Sequence, residues 1–309
     1  MKAIYLGHNI ARTIKIIFLF PGLFFFHYAH SQELEPRSYI NIPVGLNFVA
    51  LAYGYTDGDI YTAPSVPIED LALRVDGPLL AYGYTFGMFG RSTKFDFSVG
   101  RMCGFASAIF EGDNISRKFC GVTDTKVRLN YNFYGSPALT LKEFGTYKRD
   151  IVVGASFQIN VPTGKYDTDY FFNVGSNRWY YKPEIGLSIP YRKWEFDFAV
   201  SAKIFGDNTE LKKTFTLSQD PIYNLQLHII YYIVRGQWIA LDSNYFRGGD
   251  TYRNGSRSTV TSGNYRGGVT YSYAFNWQHS IKLLAHKGVS TRLGNDSVVY
   301  GLAWAYTWN

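Results

Sequence analysis

Three kinds of side chain in this sequence could do chemistry: histidines near a carboxylate, two cysteines, and a set of charged residues at alternating positions. Beyond residue 31 the histidines are His228, His279 and His286. His279 and His286 are seven apart, so on one regular strand they face opposite sides, a poor metal pair. His228 has Asp242 within diagonal reach across a hairpin. A Ser-His-Asp hydrolase would also need a placed nucleophile and oxyanion donors, and no local motif marks them. The simpler assignment is a hydrogen-bonded histidine on a polar face. Glycine-rich phosphate loops are missing, so no catalytic, cofactor or metal site is expected.

The charged set is larger: Lys94, Asp96, Lys126, Arg128, Lys182, Glu184, Glu195, Asp197, Lys203, Asp242, Arg266 and Lys282. On one side of a sheet these would either form a charged constriction that selects what passes or brace the wall as an ion-pair network. Both readings stay open. Cys103 and Cys120 flank the turn signal Glu111-Gly112-Asp113-Asn114, and in an exported chain a disulfide across this hairpin is expected. Their numbers sum to an odd value, while Phe95, Phe97 and Val99 against Val127 and Leu129 demand an even one. A bulge near Gly100, where outward Arg101 breaks the pattern, would remove the conflict.

The elements that must position these groups are strands. In 221–248 the apolar Tyr223, Leu225, Leu227, Ile229, Tyr231 and Ile233 alternate with Asn224, Gln226 and His228. After Arg235-Gly236 the alternation resumes with Ile239, Leu241 and Tyr245, a hairpin signal. A loop centred on Gly236 opposes Ile233 to Ile239 and Tyr231 to Leu241. Each strand is about ten residues, near what a tilted strand needs to cross a bilayer. The same alternation recurs at Trp194, Phe196, Phe198 and Val200 against Glu195, Asp197 and Lys203. It returns at Val298–Trp308, where Gly301, Ala303 and Ala305 take the second face.

Twelve candidate strands follow: 43–55, 79–89, 93–108, 121–134, 150–161, 179–190, 193–205, 222–234, 237–247, 264–275, 278–287 and 297–308. Connections alternate short (90–92, 191–192, 235–236, 276–277) and long (56–78, 162–178, 206–221, 248–263), as in bacterial barrels with periplasmic termini. The segment 135–149 is the exception, being long on the short-turn side. A register through Tyr191-Arg192 sets Asp197 opposite Gly186 and Glu184 one diagonal step from Asp197, with Lys126, Arg128, Arg266 and Lys282 as compensating cations. Tyr53, Tyr55, Tyr134, Trp179, Tyr180, Trp194, Trp238, Trp277 and Trp308 would form two interfacial girdles. The glycine pairs Gly248-Gly249 and Gly267-Gly268 suit a loop bend and a strand kink.

The first residues read as a targeting segment. Lys2, Arg12 and Lys15 precede an apolar run, Ile16–Phe26, and Ala29 and Ser31 offer small residues for cleavage before Gln32. Removing this signal peptide, residues 1–31, leaves residues 32–309 as one domain and lowers the net charge from +7 to +4. No basic stripe interleaved with aromatics marks a nucleic-acid partner. No later run approaches 18 uncharged apolar residues, so no membrane-spanning helix is expected. With 18% aromatic residues, 26 Tyr and 30 Gly, the composition fits an all-β, closed antiparallel transmembrane β-barrel of about twelve strands in the bacterial outer membrane. A large secreted β-sandwich shares the alternation but rarely the strand length.

The segments 35–48 (EPRSYINIPVGLNF), 136–144 (SPALTLKEF), 173–188 (NVGSNRWYYKPEIGLS), 218–226 (SQDPIYNLQ), 238–251 (WIALDSNYFRGGDT) and 279–296 (HSIKLLAHKGVSTRLGND) resemble the outer-membrane transporters grouped under the meta-pathway of phenol degradation. The resemblance covers essentially the whole chain beyond residue 31. It implies a barrel and a channel role for small, aromatic or hydrophobic organic compounds by passive diffusion. Expected partners are outer-membrane lipid, small organic solutes and the barrel-insertion machinery. Two alternatives stand beside it: a barrel enzyme acting on lipid or peptide, and a structural or surface-interaction barrel with a plugged lumen.

Overall fold

A computed structural model describes residues 34–61, 68–110, 112–170, 172–257, 262–290 and 294–309. The proposed signal peptide lies outside the described residues. The strands are β1 (Asn47–Tyr61), β2 (Ile68–Met88), β3 (Arg91–Phe110), β4 (Asp113–Val122), β5 (Thr125–Tyr134), β6 (Val152–Val161), β7 (Tyr180–Tyr191) and β8 (Trp194–Phe205). They continue with β9 (Asn208–Leu211), β10 (Phe215–Gln219), β11 (Ile222–Val234), β12 (Gln237–Gly248), β13 (Thr251–Arg253), β14 (Ser256–Arg257), β15 (Ser262–Ala274), β16 (His279–Ser290) and β17 (Gly294–Trp308). One helical turn, α1 (Leu141–Phe144), interrupts them. No described helix is long and apolar enough to cross a membrane.

Every neighbour in the large sheet pairs antiparallel, and the ring closes: β17 pairs with β1, β1 with β2, and β2 with β3, while β4 pairs with β3 alone. β4 and β5 occupy one place in the ring, since β3 pairs with β4 along its upper half and with β5 along its lower half. The result is a closed barrel of twelve strand positions. Closure follows from the solvent: in hydrocarbon an open edge would leave backbone N–H and C=O groups unpaired. The outer face is apolar, with Leu51, Phe157, Ile185, Phe198, Val200, Leu225, Leu241 and Leu302 exposed. A continuous belt of this kind belongs in a bilayer, and a closed β-barrel places the protein in the bacterial outer membrane.

Several expected details differ. The first strand starts at Asn47, because residues 43–46 belong to a segment that enters the barrel. Much of the supposed loop 56–78 is strand, with β1 described to Tyr61 and β2 from Ile68. The 235–236 turn is tighter than expected: Tyr231 faces Ile239 and Ile229 faces Leu241, a register two residues from the one centred on Gly236. In this register the outward Leu225, Ile229 and Tyr231 of β11 face the apolar or aromatic Tyr245, Leu241 and Ile239, while Leu227 faces Ser243 and Tyr223 faces Arg247. Similarly, Arg192 in a left-handed conformation (φ 53°) and Lys193 turn the chain, so Asp197 faces Ser188 and Glu184 faces Ser201. Glu184 is therefore farther from Asp197 than expected.

Cys103 faces Cys120 across β3–β4 and the two form a disulfide, with Cα atoms 4.0 Å apart. The parity conflict is resolved on the partner strand rather than in β3. Ser98 faces Lys126 and Arg101 faces Val122, so Thr123-Asp124 carries one extra residue opposite Gly100. Thr123 closes the bulge by bonding Gly100 from both its Oγ1 and its backbone N–H. The bond closes a loop of sequence separation 17, so its reduction is expected to lower barrel stability by about 2–4 kcal/mol. Denaturant midpoints in lipid vesicles with and without dithiothreitol check this; equal midpoints would reject it.

Candidate functional site

The interior is built from the second face of each strand, and its most distinctive feature is the inserted segment, residues 34–46. At the periplasmic end Leu46 N bonds Thr85 Oγ1 at 3.0 Å and Val44 N bonds the Leu139 carbonyl at 2.8 Å. Further in, Ser92 Oγ donates to the Ile42 carbonyl, Ser136 Oγ to Asn41 Oδ1, and Asn132 Nδ2 to the Ile40 carbonyl. Asn130 Nδ2 reaches the Ser38 carbonyl at 3.4 Å, and Arg37 N donates to Asp197 Oδ2 at 2.7 Å. Glu35 pairs with Arg128. Inside a barrel a non-strand backbone survives only if its polar groups find partners, and the inward Asn and Ser side chains supply them.

The long periplasmic connection 135–149 now has a reason. Its Ser136 and Leu139 hold the inserted segment, and its Arg149 reaches inward to Glu195 Oε2 at 3.3 Å. α1 shapes the connection through a capping box: Thr140 Oγ1 accepts from Glu143 N, and Thr140 N donates to Glu143 Oε2 at 2.8 Å. Those bonds from Thr140 hold the Glu143 carboxyl below its usual range.

The residues expected to line the lumen lie on inward positions. Arg128 and Lys94 flank Asp96, at 3.1 and 3.6 Å. Lys182 pairs with Glu184 at 2.9 Å, and Lys203 sits over the Tyr180 ring at 5.3 Å. Lys282 lies 6.0 Å from the centre of the Trp238 ring, and Arg266 donates to the Ser297 carbonyl and hydroxyl at 2.9 Å. Lys126 follows the same inward parity on β5 as Arg128. The acidic pair Glu195 and Asp197 does not rely on the cations expected for it. Arg149 and, at 3.9 Å, Arg37 face Glu195, and Tyr232 donates to it at 2.9 Å. Tyr180 and Trp238 are inward too, so neither belongs to an interfacial girdle.

His228, Asp242 and His286 form one buried cluster. Asp242 faces His228 directly rather than diagonally, with Nδ1 2.6 Å from Oδ1. Thr270 Oγ1 donates to Asp242 Oδ2 at 2.6 Å, and His286 Nε2 lies 3.4 Å from the same oxygen. Gly268 stands between them in the ladder, where a Cβ would collide with the His286 ring. That glycine gives clearance rather than a kink, whereas Gly248 and Gly249 (φ 100° and 88°) do make a bend. The other nitrogen of His228 faces Gln226 Oε1 at 3.3 Å, where a hydrolase would present a serine hydroxyl. No group of three metal-binding side chains occurs among the described residues.

Opposite this polar wall the lumen is different. Ala50, Ala52 and Gly54 face Ala305, Ala303 and Gly301 on one side and Ala81, Leu79 and Gly77 on the other. β1 stands six places from β8 in the ring of twelve, so a wall of small apolar residues confronts the charged one. At the extracellular end the bulge residue Asp124 holds the 162–178 loop, accepting from Gly164 N at 2.9 Å and Ser176 N at 3.0 Å. A second small sheet, in the order β14–β13–β10–β9, joins the neighbouring loops.

Sequence reasoning missed Glu35, Arg37, Tyr39, Arg149 and Asp124. Strand periodicity does not reach them, because all five lie outside regular strand. Two signals were available: an unpatterned polar stretch before the first strand, and an arginine on the one long periplasmic connection.

Comparison with known proteins agrees with this geometry. The COG4313 outer membrane channel from Pseudomonas putida F1 superposes with a TM-score of 0.73 over 89% of this chain and 100% of that one, at 19% identity. The beta domain of the Bordetella autotransporter BrkA gives 0.53 over 84% and 99% at 11% identity. The transport unit of the Escherichia coli autotransporter AIDA-I gives 0.52 over 89% and 93% at 8% identity. At these identities the likeness bears on the fold alone. No curated protein matches the sequence. A family model described as "Putative MetA-pathway of phenol degradation" matches residues 122–302. That match covers more than half of the 309 residues, and the chain belongs to this family of barrels.

Proposed function

We propose that the protein is a passive outer-membrane channel for small organic molecules, whose solutes travel along the β17–β1–β2 wall. The carrying observation is the division of the lumen. The inserted segment and its charged partners fill the β5–β8 side, while the facing wall presents Ala50, Ala52, Gly54, Ala303 and Gly301. Small residues leave room, and an apolar track lets a hydrophobic or aromatic solute pass without desolvating the fixed charges of the opposite wall. The similar barrel from Pseudomonas putida is itself described as a channel, which favours the same class here. The lumenal charges would then border the path and set which ions accompany it. Lipid surrounds the barrel and small solutes enter it.

The inserted segment also favours a second reading, a barrel plugged at rest. Planar-bilayer conductance separates the two: a silent barrel under all voltages and solutes would support the plug. For the first reading, liposome swelling across aromatic and aliphatic solutes is the direct test. Ala52→Arg places a long cation on the smooth wall and is expected to cut swelling rates several-fold while the barrel still folds. Unchanged rates in the folded variant would rule out this path.

A further inference from the structure

Tyr39 holds the inserted segment by a fit that charge does not explain. Gly154 of β6 and Gly186 of β7 face each other across the ladder, and the Tyr39 ring lies against both. A Cβ at either position would run into that ring. At the end of this slot the Tyr39 hydroxyl donates to Glu184 Oε1 at 3.0 Å and lies 3.2 Å from Ser156 Oγ. Glu184 is itself steadied by Lys182 at 2.9 Å and by Gln226 Nε2 at 3.4 Å. The ring is 2% exposed, and Ser156 and Glu184 are buried with it. The slot thus has a flat backbone floor and a carboxylate with a hydroxyl at its closed end.

A tyrosine side chain is a phenol on a tether. We propose that the Gly154–Gly186 slot is a binding site for free phenolic solutes, and that Tyr39 is its tethered resident competitor. The flat floor suits an aromatic ring and excludes a puckered one. The Glu184 carboxylate rewards a hydroxyl donor and leaves a bare arene with an unpaired buried acceptor. Release of Tyr39 loosens the middle of the segment, while the bonds at Ser136 and Leu139 keep its base in place. Resident and visitor therefore compete, and the tether gives Tyr39 an effective concentration in the millimolar range. This site depends on the channel reading only for how a solute arrives.

The experiment uses the purified full barrel in lipid nanodiscs and 4-fluorophenol followed by fluorine NMR. Tyr39→Ala should bind it saturably and more tightly than the native protein, and fluorobenzene about tenfold more weakly than 4-fluorophenol. Adding Gly186→Leu to Tyr39→Ala should abolish the binding, which also controls for partition into lipid. No saturable shift in a folded Tyr39→Ala barrel, or an undiminished one in the double variant, overturns the proposal. If Tyr39→Ala does not fold, Ser38→Cys in the native background replaces it. Phenol should then speed labelling of that cysteine by a charged thiol reagent relative to cyclohexanol, and equal rates overturn the proposal. Liposome swelling is scored separately: binding without flux would remove the channel reading and leave the slot standing.

Discussion

Phe198→Arg should destabilise the folded barrel by about 2–4 kcal/mol, whereas Asp197→Asn beside it should cost less than about 1 kcal/mol. Phe198 sits mid-strand on the outer face, flanked by Leu187 and Leu227. An arginine there must place its charge in hydrocarbon. Asp197 points inward, where it accepts from Arg37 N at 2.7 Å. An asparagine can still accept that bond through its own carbonyl oxygen. Urea unfolding in lipid vesicles measures both, and equal losses at the two positions would reject the assignment of inner and outer faces. The comparison is demanding because the residues are adjacent: only the pleat separates a lipid-facing side chain from a lumenal one.

Neutralising Glu195 and Asp197 together, as Glu195→Gln with Asp197→Asn, should raise conductance and shift permeability several-fold toward anions. The two side chains are 2% and 4% exposed, and they face Arg37 of the inserted segment and Arg149 of the periplasmic connection. Without the carboxylates, two guanidinium groups remain with no counter-charge in a narrow passage, and the lumenal field changes sign locally. Glu195→Gln also removes the ion pair of Glu195 with Arg37, which loosens the segment and widens the path. A reversal potential under a salt gradient reads the first effect and single-channel current the second. A conducting double variant with an unchanged permeability ratio would assign the pair a bracing role only.

The extent of sequence legibility follows from the range of the interactions involved. Alternation is local: Phe196 and Phe198 against Glu195 and Asp197 already states which residues face lipid, because a strand turns over every second residue. Twelve strand positions and the closure of the ring came from such local patterns and from the absence of water in the bilayer. Register is less local. Turns at Arg192-Lys193 and Arg235-Gly236 shifted both hairpins by two residues, which preserves faces and so is invisible to periodicity. That shift alone set His228 directly against Asp242 and moved Glu184 away from Asp197. The cysteine parity conflict did point to an irregularity, but only the pairing of β3 with two successive strands placed it at Thr123-Asp124.

The inserted segment lay furthest from view. Nothing in Glu35, Arg37 or Tyr39 marks them as lumenal, since their partners Arg128, Asp197, Glu184 and Ser156 lie some ninety to one hundred and sixty residues away. Gly154 and Gly186 have no side chain to mark a face, and their meaning appears only when Tyr39 rests on them. The sequence by itself determined the barrel, its two faces and its bilayer setting, because these depend on hydrophobicity repeated at short range. Tertiary structure alone decided what occupies the lumen, because that depends on side chains brought together by closure of the ring.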